Sequence, residues 1–184
     1  MKRLHLLPVL FFALLLVLPL AAQPSDPAAD GSAREIYTAL AFGDPVFEPE
    51  LWLASAAELG DRTTATWQAA DFGALGYAEL LHFNGGYTPN SLRAYFDDAW
   101  FTEVFDTYDL WERTGQCVHD TVIVQEFALR NGGTNYKMRY WIMPIAPTRV
   151  LAFHLVFPAG RASLLEEYSR RFAPLAWRCT PEHS

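Results

Sequence analysis

The chain has 184 residues, a formal net charge of −7, and 51% hydrophobic and 15% aromatic side chains. That hydrophobic share supplies a core and excludes overall disorder. The acidic balance excludes a nucleic-acid binder, which needs a basic footprint, and there is no polybasic patch for an anionic membrane surface.

The N-terminus has the three parts of a secretory signal. Lys2 and Arg3 form the positive region, and Leu4 to Leu20 is apolar apart from His5, Pro8 and Pro19. Ala21-Ala22 supplies small residues for cleavage. The apolar run is short for a spanning helix and contains Pro8, so cleavage is expected rather than anchoring. Residues 1–22 therefore read as a signal peptide, and 23–32 (QPSDPAADGS) as a disordered linker. Residues 33–184 read as a single α+β domain, secreted or periplasmic, with no membrane span after cleavage. Loss of Lys2 and Arg3 takes the basic residues from 14 to 12 against 21 acidic ones, a mature charge of −9. No cysteine lies near the cleavage site, which argues against a lipid-modified N-terminus.

Ala33 to Gly43 reads as a short helix carrying Ile36, Leu40 and Phe42, and Pro45 and Pro49 mark a turn-rich passage. Leu51 to Leu59 is ambiguous between helix and strand. Arg62 to Gln68 reads as a strand. From Leu75 to Phe83, Leu75, Tyr77, Glu79, Leu81 and Phe83 alternate with Gly76, Ala78, Leu80 and His82, the period of a strand. Asn84-Gly85-Gly86 is its turn. Thr88 as N-cap and Pro89 at the first helical position open a helix with the apolar stripe Leu92, Tyr95, Phe96, Ala99 and Trp100. Asp97 and Asp98 fall off that stripe, on a solvated face. Between Phe105 and Gln116 the pattern is unclear, and a strand is expected around Tyr108 to Arg113.

Residues 121–157 read as a three-stranded antiparallel meander. Thr121 to Arg130 is its first strand, and Asn131-Gly132-Gly133 its hairpin turn. In the second strand Tyr136, Met138, Tyr140 and Ile142 alternate with Asn135, Lys137, Arg139 and Trp141. Pro144 and Pro147 break that run. In the third, Leu151, Phe153, Leu155 and Phe157 share one face, and Val150, Ala152, His154 and Val156 the other. A helix follows, with Ser163 and Glu166 spaced as a capping box and Leu164, Leu165, Tyr168 and Phe172 as its stripe. Pro174 ends it. Both faces of the 75–83 and 150–157 runs are apolar, so both faces of the sheet are expected to be covered. The helices are expected on one face, with the 33–59 segment contributing to the other.

The run TNYKMRYWIMPIAPTRVLAFHLVFP, the helix SLLEEYSRRF after it and the helix SLRAYFDDAWF before it resemble the PsbP-like α/β/α sandwich of exported bacterial proteins. The resemblance is of element order, spans about two thirds of the chain and transfers no functional residue. It implies a mostly non-enzymatic binding or assembly role. The fold class expected is thus α+β, an antiparallel sheet with helices packed on it.

Cys117 and Cys179 are an even pair in the exported part and are expected to form one disulfide. Their spacing fits neither a CxxC redox motif nor a zinc site. His82, His119, His154 and His183 form no HxH or HExxH pattern, so no metal or cofactor is indicated. His82 and His154 read as core or semi-buried residues, and His119-Asp120 as a turn. Glu79 and Glu126 lie inside strands. They would suit an acid/base pair if brought together; otherwise they point to solvent or pair with Arg139 or Arg149. No GxSxG elbow or phosphate loop is present. Trp141, Tyr140, Tyr136, Trp100, Tyr95 and Trp111 could line a pocket, although aromatics at these spacings are usually core. Trp141 shares its strand face with Lys137 and Arg139, so Trp141 and Arg139 are expected to be partly exposed as a recognition pair for an unknown small ligand or protein. The functional expectation is a non-enzymatic exported binding domain. The alternatives are a secreted hydrolase using Glu79 or Glu126 with a histidine, or a structural envelope protein.

Overall fold

The computed structural model describes residues 47–48, 50–59, 62–171 and 178–179. The signal segment, the linker, the helix expected at 33–43, and Phe172 and Pro174 lie outside these residues.

Among the described residues seven strands form one antiparallel sheet: β1 (Leu53–Leu59), β2 (Arg62–Ala69), β3 (Ala74–His82), β4 (Leu110–His119), β5 (Val122–Asn131), β6 (Thr134–Ala146) and β7 (Arg149–Pro158). Their order is β1-β2-β3-β7-β6-β5-β4. The helices among the described residues are α1 (Pro89–Tyr95), α2 (Asp98–Val104) and α3 (Ala162–Arg170). The α+β class and the β5-β6-β7 meander stand as expected from the alternation. Gly132 (φ 55°) and Gly133 (φ 82°) both take the left-handed backbone of the tight turn between β5 and β6. The ambiguous stretch after Leu51 becomes β1, an edge strand paired with β2 from Leu53↔Gln68 onward. The strand expected around 108–113 is the start of the longer β4. Pro144 does not end β6: the strand continues to Ala146 with an irregularity between Pro144 and Ala146, a place where a sheet tolerates proline.

Strand alternation divides the core into two. On one face, Trp67, Trp141, Phe153 and Phe157 pack with Phe47, Trp52, Leu165 and Tyr168. On the other, Phe127, Met138, Tyr140 and Ile142 pack with Leu92, Phe96, Phe101 and Phe105. The helices are therefore divided, α3 on the first face and α1 and α2 on the second, and not gathered on one side as expected. The reason is apolar area: both strand faces are hydrophobic, and each must be buried. The 47–52 stretch does contribute to one face, the one that α3 covers. Gly76 is needed there, because a Cβ would stand 3.1 Å from the Phe47 ring and 3.2 Å from Leu155.

Two helix ends differ from expectation. Thr88 caps α1 in a box with Ser91, each side chain bonding the other's backbone amide at 3.1 and 2.8 Å. The helix then stops at Tyr95, and a second begins where Asp97 Oδ1 accepts from the Trp100 amide at 3.0 Å. Asp97 is thus an N-cap rather than a mid-helix surface residue. At α3 the expected Ser163–Glu166 box does not form. A 3-10 turn, Ala159–Arg161, runs straight into the helix, and no side chain caps it. Glu166 is engaged by an arginine instead.

Candidate functional site

Trp141 is fully buried and Arg139 is 4% exposed, so neither is presented to solvent as expected. Trp141 stacks on Phe153 at 5.6 Å with an interplanar angle of 20°. Arg139 lies beneath α3, where its Nε donates to Glu126 Oε1 at 2.8 Å and its Nη2 to Glu166 Oε1 at 2.6 Å. Lys137, Arg139 and Trp141 do share a strand face. That face looked polar because the carboxylate from α3 that neutralises Arg139 is distant in sequence. Burial pushes the Glu166 carboxyl up, but hydrogen bonding to Arg139 and the charges of Arg139, Arg178 and Arg170 outweigh it and hold it below its ordinary value. The same face carries a second buried polar chain: Trp52 Nε1 donates to the Tyr168 hydroxyl at 3.0 Å, and that hydroxyl donates to Glu48 Oε2 at 2.9 Å. This face is core.

Glu79 and Glu126 stand on opposite faces of the sheet. Glu126 is paired across β5–β6 with Arg139, while Glu79 is paired with Ala152 and Thr64. Sheet parity therefore excludes an acid/base dyad between them. Glu126 follows the ion-pair alternative. Glu79 does not point to solvent, since it is 6% exposed on the face of α1 and α2. His154 is buried as expected, whereas His82 is exposed at the end of β3. Asp120, with φ 52°, makes the turn after His119.

A cavity of about 720 Å³ opens between that second face and α2. Its sheet wall carries Tyr77 and Glu79 from β3, His154 and Val156 from β7, and Met138 and Tyr140 from β6. Trp100, Val104, Phe105 and Tyr108 form the opposite wall. The break at Asp97 starts a new helix, and that helix brings Trp100 and Val104 over the sheet. Register assembles the centre of the wall: Tyr77 pairs with His154, and His154 with Tyr140. The His154 ring lies 5.3 Å from Tyr77 and 5.4 Å from Tyr140, with interplanar angles of 25° and 30°. Glu79 is two residues from Tyr77, on the same face.

The electrostatics of this wall follow from burial. Desolvation holds the His154 imidazole down at about 4, so it is neutral at physiological pH. Its Nδ1 is buried with no hydrogen-bond partner among the described residues. Burial, and then the nearby Glu79 charge, push the Tyr140 hydroxyl well above its ordinary value, so it remains a neutral O–H. Tyr136, Tyr140 and Trp100 of the expected aromatic set line the cavity; Trp141, Tyr95 and Trp111 do not. Tyr77 and His154 escaped the sequence reading because their meeting depends on the β3–β7 and β7–β6 registers. The visible signal was one carboxylate, Glu79, in a strand apolar on both faces.

Among the described residues no group of His, Cys, Asp and Glu is arranged to hold a metal ion, and no helix is long and apolar enough to cross a membrane. Cys117 of β4 and Cys179 are bonded, with Cα atoms 5.5 Å apart. The bond closes the chain over a separation of 62 residues. No protein-family model matches this chain, and no curated protein matches it.

Proposed function

We propose that this is an exported, non-enzymatic domain that binds a small ligand in the cavity beneath α2. One observation carries the reading: a cavity of about 720 Å³ with aromatic and aliphatic walls and two buried polar side chains, Glu79 and His154, set into them. Small-molecule sites typically occupy about 300–1,000 Å³, with a few placed polar groups fixing orientation in an apolar lining. Export is supported by the tripartite N-terminus and by the Cys117–Cys179 bond, since disulfides persist in oxidising compartments. Kinship with PsbP-like sandwiches draws on element order, a helical segment, an antiparallel meander and a closing helix. The binding and assembly roles of that family agree with a ligand cavity.

The hydrolase reading is favoured by the presence of Glu79 and His154 in one cavity. It is the weaker of the two. Glu126 is on the other face of the sheet, and an imidazole held near 4 is a poor general base at neutral pH.

The test is calorimetric titration with octan-1-ol, a neutral apolar probe. Saturable single-site binding is expected. Val156→Phe, which enlarges a wall residue, is expected to abolish it while leaving the far-UV circular dichroism unchanged. Absence of binding, or equal binding by Val156→Phe, contradicts the cavity reading and leaves a protein partner or a structural envelope role.

A further inference from the structure

The cavity has a direction, and strand register sets it. Leu53 of β1 pairs with Gln68 of β2, Gln68 with Leu75 of β3, Leu75 with Val156 of β7, and Val156 with Met138 of β6. Residues paired across strands share a sheet face, and all five line the cavity. The floor therefore includes one row that crosses five adjacent strands. Exposure falls along this row. Leu53 is 65% exposed and Gln68 is exposed, Leu75 is half-buried, and Val156 and Met138 are 4% and 3% exposed. The next residue of the row, Phe127 of β5, is fully buried, with its ring 4.7 Å from Phe101 and 5.0 Å from Phe105. The row thus runs from a mouth at β1 to a deep end under α2, where Trp100 and Val104 face it.

The dimensions of the row name the shape of what fits. Neighbouring strands lie about 4.8 Å apart, so the steps from β1 to β6 make the row about 19 Å long. A volume of about 720 Å³ spread over that length is about 6 Å across. Carbon atoms in contact stand about 3.5–4.0 Å apart, so one extended chain fits this width and two side by side do not. Carbon–carbon bonds of about 1.5 Å meeting at about 111° advance a chain about 1.25 Å per atom, so about 15 carbons span the row. Leu53, Leu75, Val156 and Met138 are apolar, and Gln68, the polar member, stands near the mouth. Burial of methylene groups against such a floor is favourable in proportion to the length buried.

We infer that the ligand of this cavity is a single linear alkyl or acyl chain laid across the strands along this row, its methyl end beneath α2 and its polar end at the Leu53 mouth. This rests on the cavity reading above and adds the shape and orientation of the ligand.

The experiment is a chain-length series by calorimetry on the purified protein. From hexan-1-ol through octan-1-ol and decan-1-ol to dodecan-1-ol, affinity is expected to rise about four-fold per added carbon, the effect of burying each further methylene. Adamantan-1-ol holds the same number of carbons as decan-1-ol in a compact cage and is expected to bind about ten-fold or more weakly. Dodecylphosphocholine carries the dodecyl chain under a bulky zwitterionic head. It is expected to bind within about ten-fold of dodecan-1-ol, because the head stays outside the mouth. Leu75→Trp sets a ring across the row about 10 Å from its inner end. It is expected to leave hexan-1-ol binding intact, which reports a folded cavity, and to remove the gain beyond octan-1-ol. A series that levels off at octan-1-ol, or adamantan-1-ol binding as tightly as decan-1-ol, overturns the inference while the cavity reading stands. Loss of binding by dodecylphosphocholine alone overturns the mouth at Leu53. A gain that persists to dodecan-1-ol in Leu75→Trp overturns the placement along the row. If Leu75→Trp does not fold, the wild-type series decides alone. If no probe binds, the cavity reading fails with the inference.

Discussion

On the face under α3, Trp141, Phe153 and Phe157 are fully buried, Arg139 is held by two carboxylates, and a chain of hydrogen bonds joins Trp52, Tyr168 and Glu48. On the face under α2, Tyr77, His154 and Tyr140 form a row beside open space, and Glu79 lies next to them. The same strands supply both, so the difference lies in alternation and in what covers each side. The closed face is filled by large rings and satisfies its charge internally. The other face retains a volume that its own side chains do not fill and a histidine nitrogen that no described residue bonds. Buried polar groups in native proteins are normally satisfied, and an exception calls for an explanation, such as a bound water or a functional role. A strong polar or aromatic residue therefore means different things on the two faces. Arg139 and Trp141 are structural, whereas Glu79 and His154 are candidates for contact with a ligand.

The largest expected effect is on the closed face. Trp141→Ala is expected to cost about 3–5 kcal/mol, because it empties a fully buried ring from a packed core. Urea titration measures it. A cost near zero would mean that the face is not the sealed core described. Next is acid sensitivity on the open face. His154 is lowered from 6.5 to about 4 by burial, so the unfolded chain takes up a proton first. Its contribution is fully present above about 6.5 and is lost as pH falls from there toward about 4, up to about 3 kcal/mol. Stability measured across that window should fall with pH, and His154→Phe should flatten the slope. An unchanged slope would remove His154 as its source.

The smallest effect separates the faces most finely. Arg139→Met is expected to cost about 1–2 kcal/mol, less than a fully buried pair, because Glu126 and Glu166 are partly exposed and screened. Glu166 is held below its ordinary value, so this contribution is present above the ordinary carboxylate value and is lost as pH falls through the lowered one. The difference between wild type and Arg139→Met should therefore shrink in acid, from the lower end of the His154 window downward.

Much of the sheet was legible in the sequence because strands announce themselves by period-two alternation, as in Tyr136 to Ile142 and Leu151 to Phe157. The cysteine pair was legible by count and compartment. What was not legible was set at a distance. The break at Asp97 interrupts a continuous apolar stripe, and its cap is visible only in three dimensions. Glu166 looked like a local cap, yet it pairs with Arg139 across 27 positions. That pairing is why Trp141 and Arg139 could be taken for a surface. The cavity wall needs two strand registers to bring Tyr77, His154 and Tyr140 into line, and a single sequence does not carry them.

The central claim is that one face of the sheet is sealed and the other receives a ligand. Indole N–H signals in a nitrogen-15 correlation spectrum report on both faces in one titration. Trp100 lines the cavity, while Trp52, Trp67 and Trp141 belong to the closed core. On addition of octan-1-ol the Trp100 signal is expected to move and saturate, with Trp52, Trp67 and Trp141 unmoved. Movement of the Trp67 or Trp141 signal with Trp100 unchanged would contradict the claim.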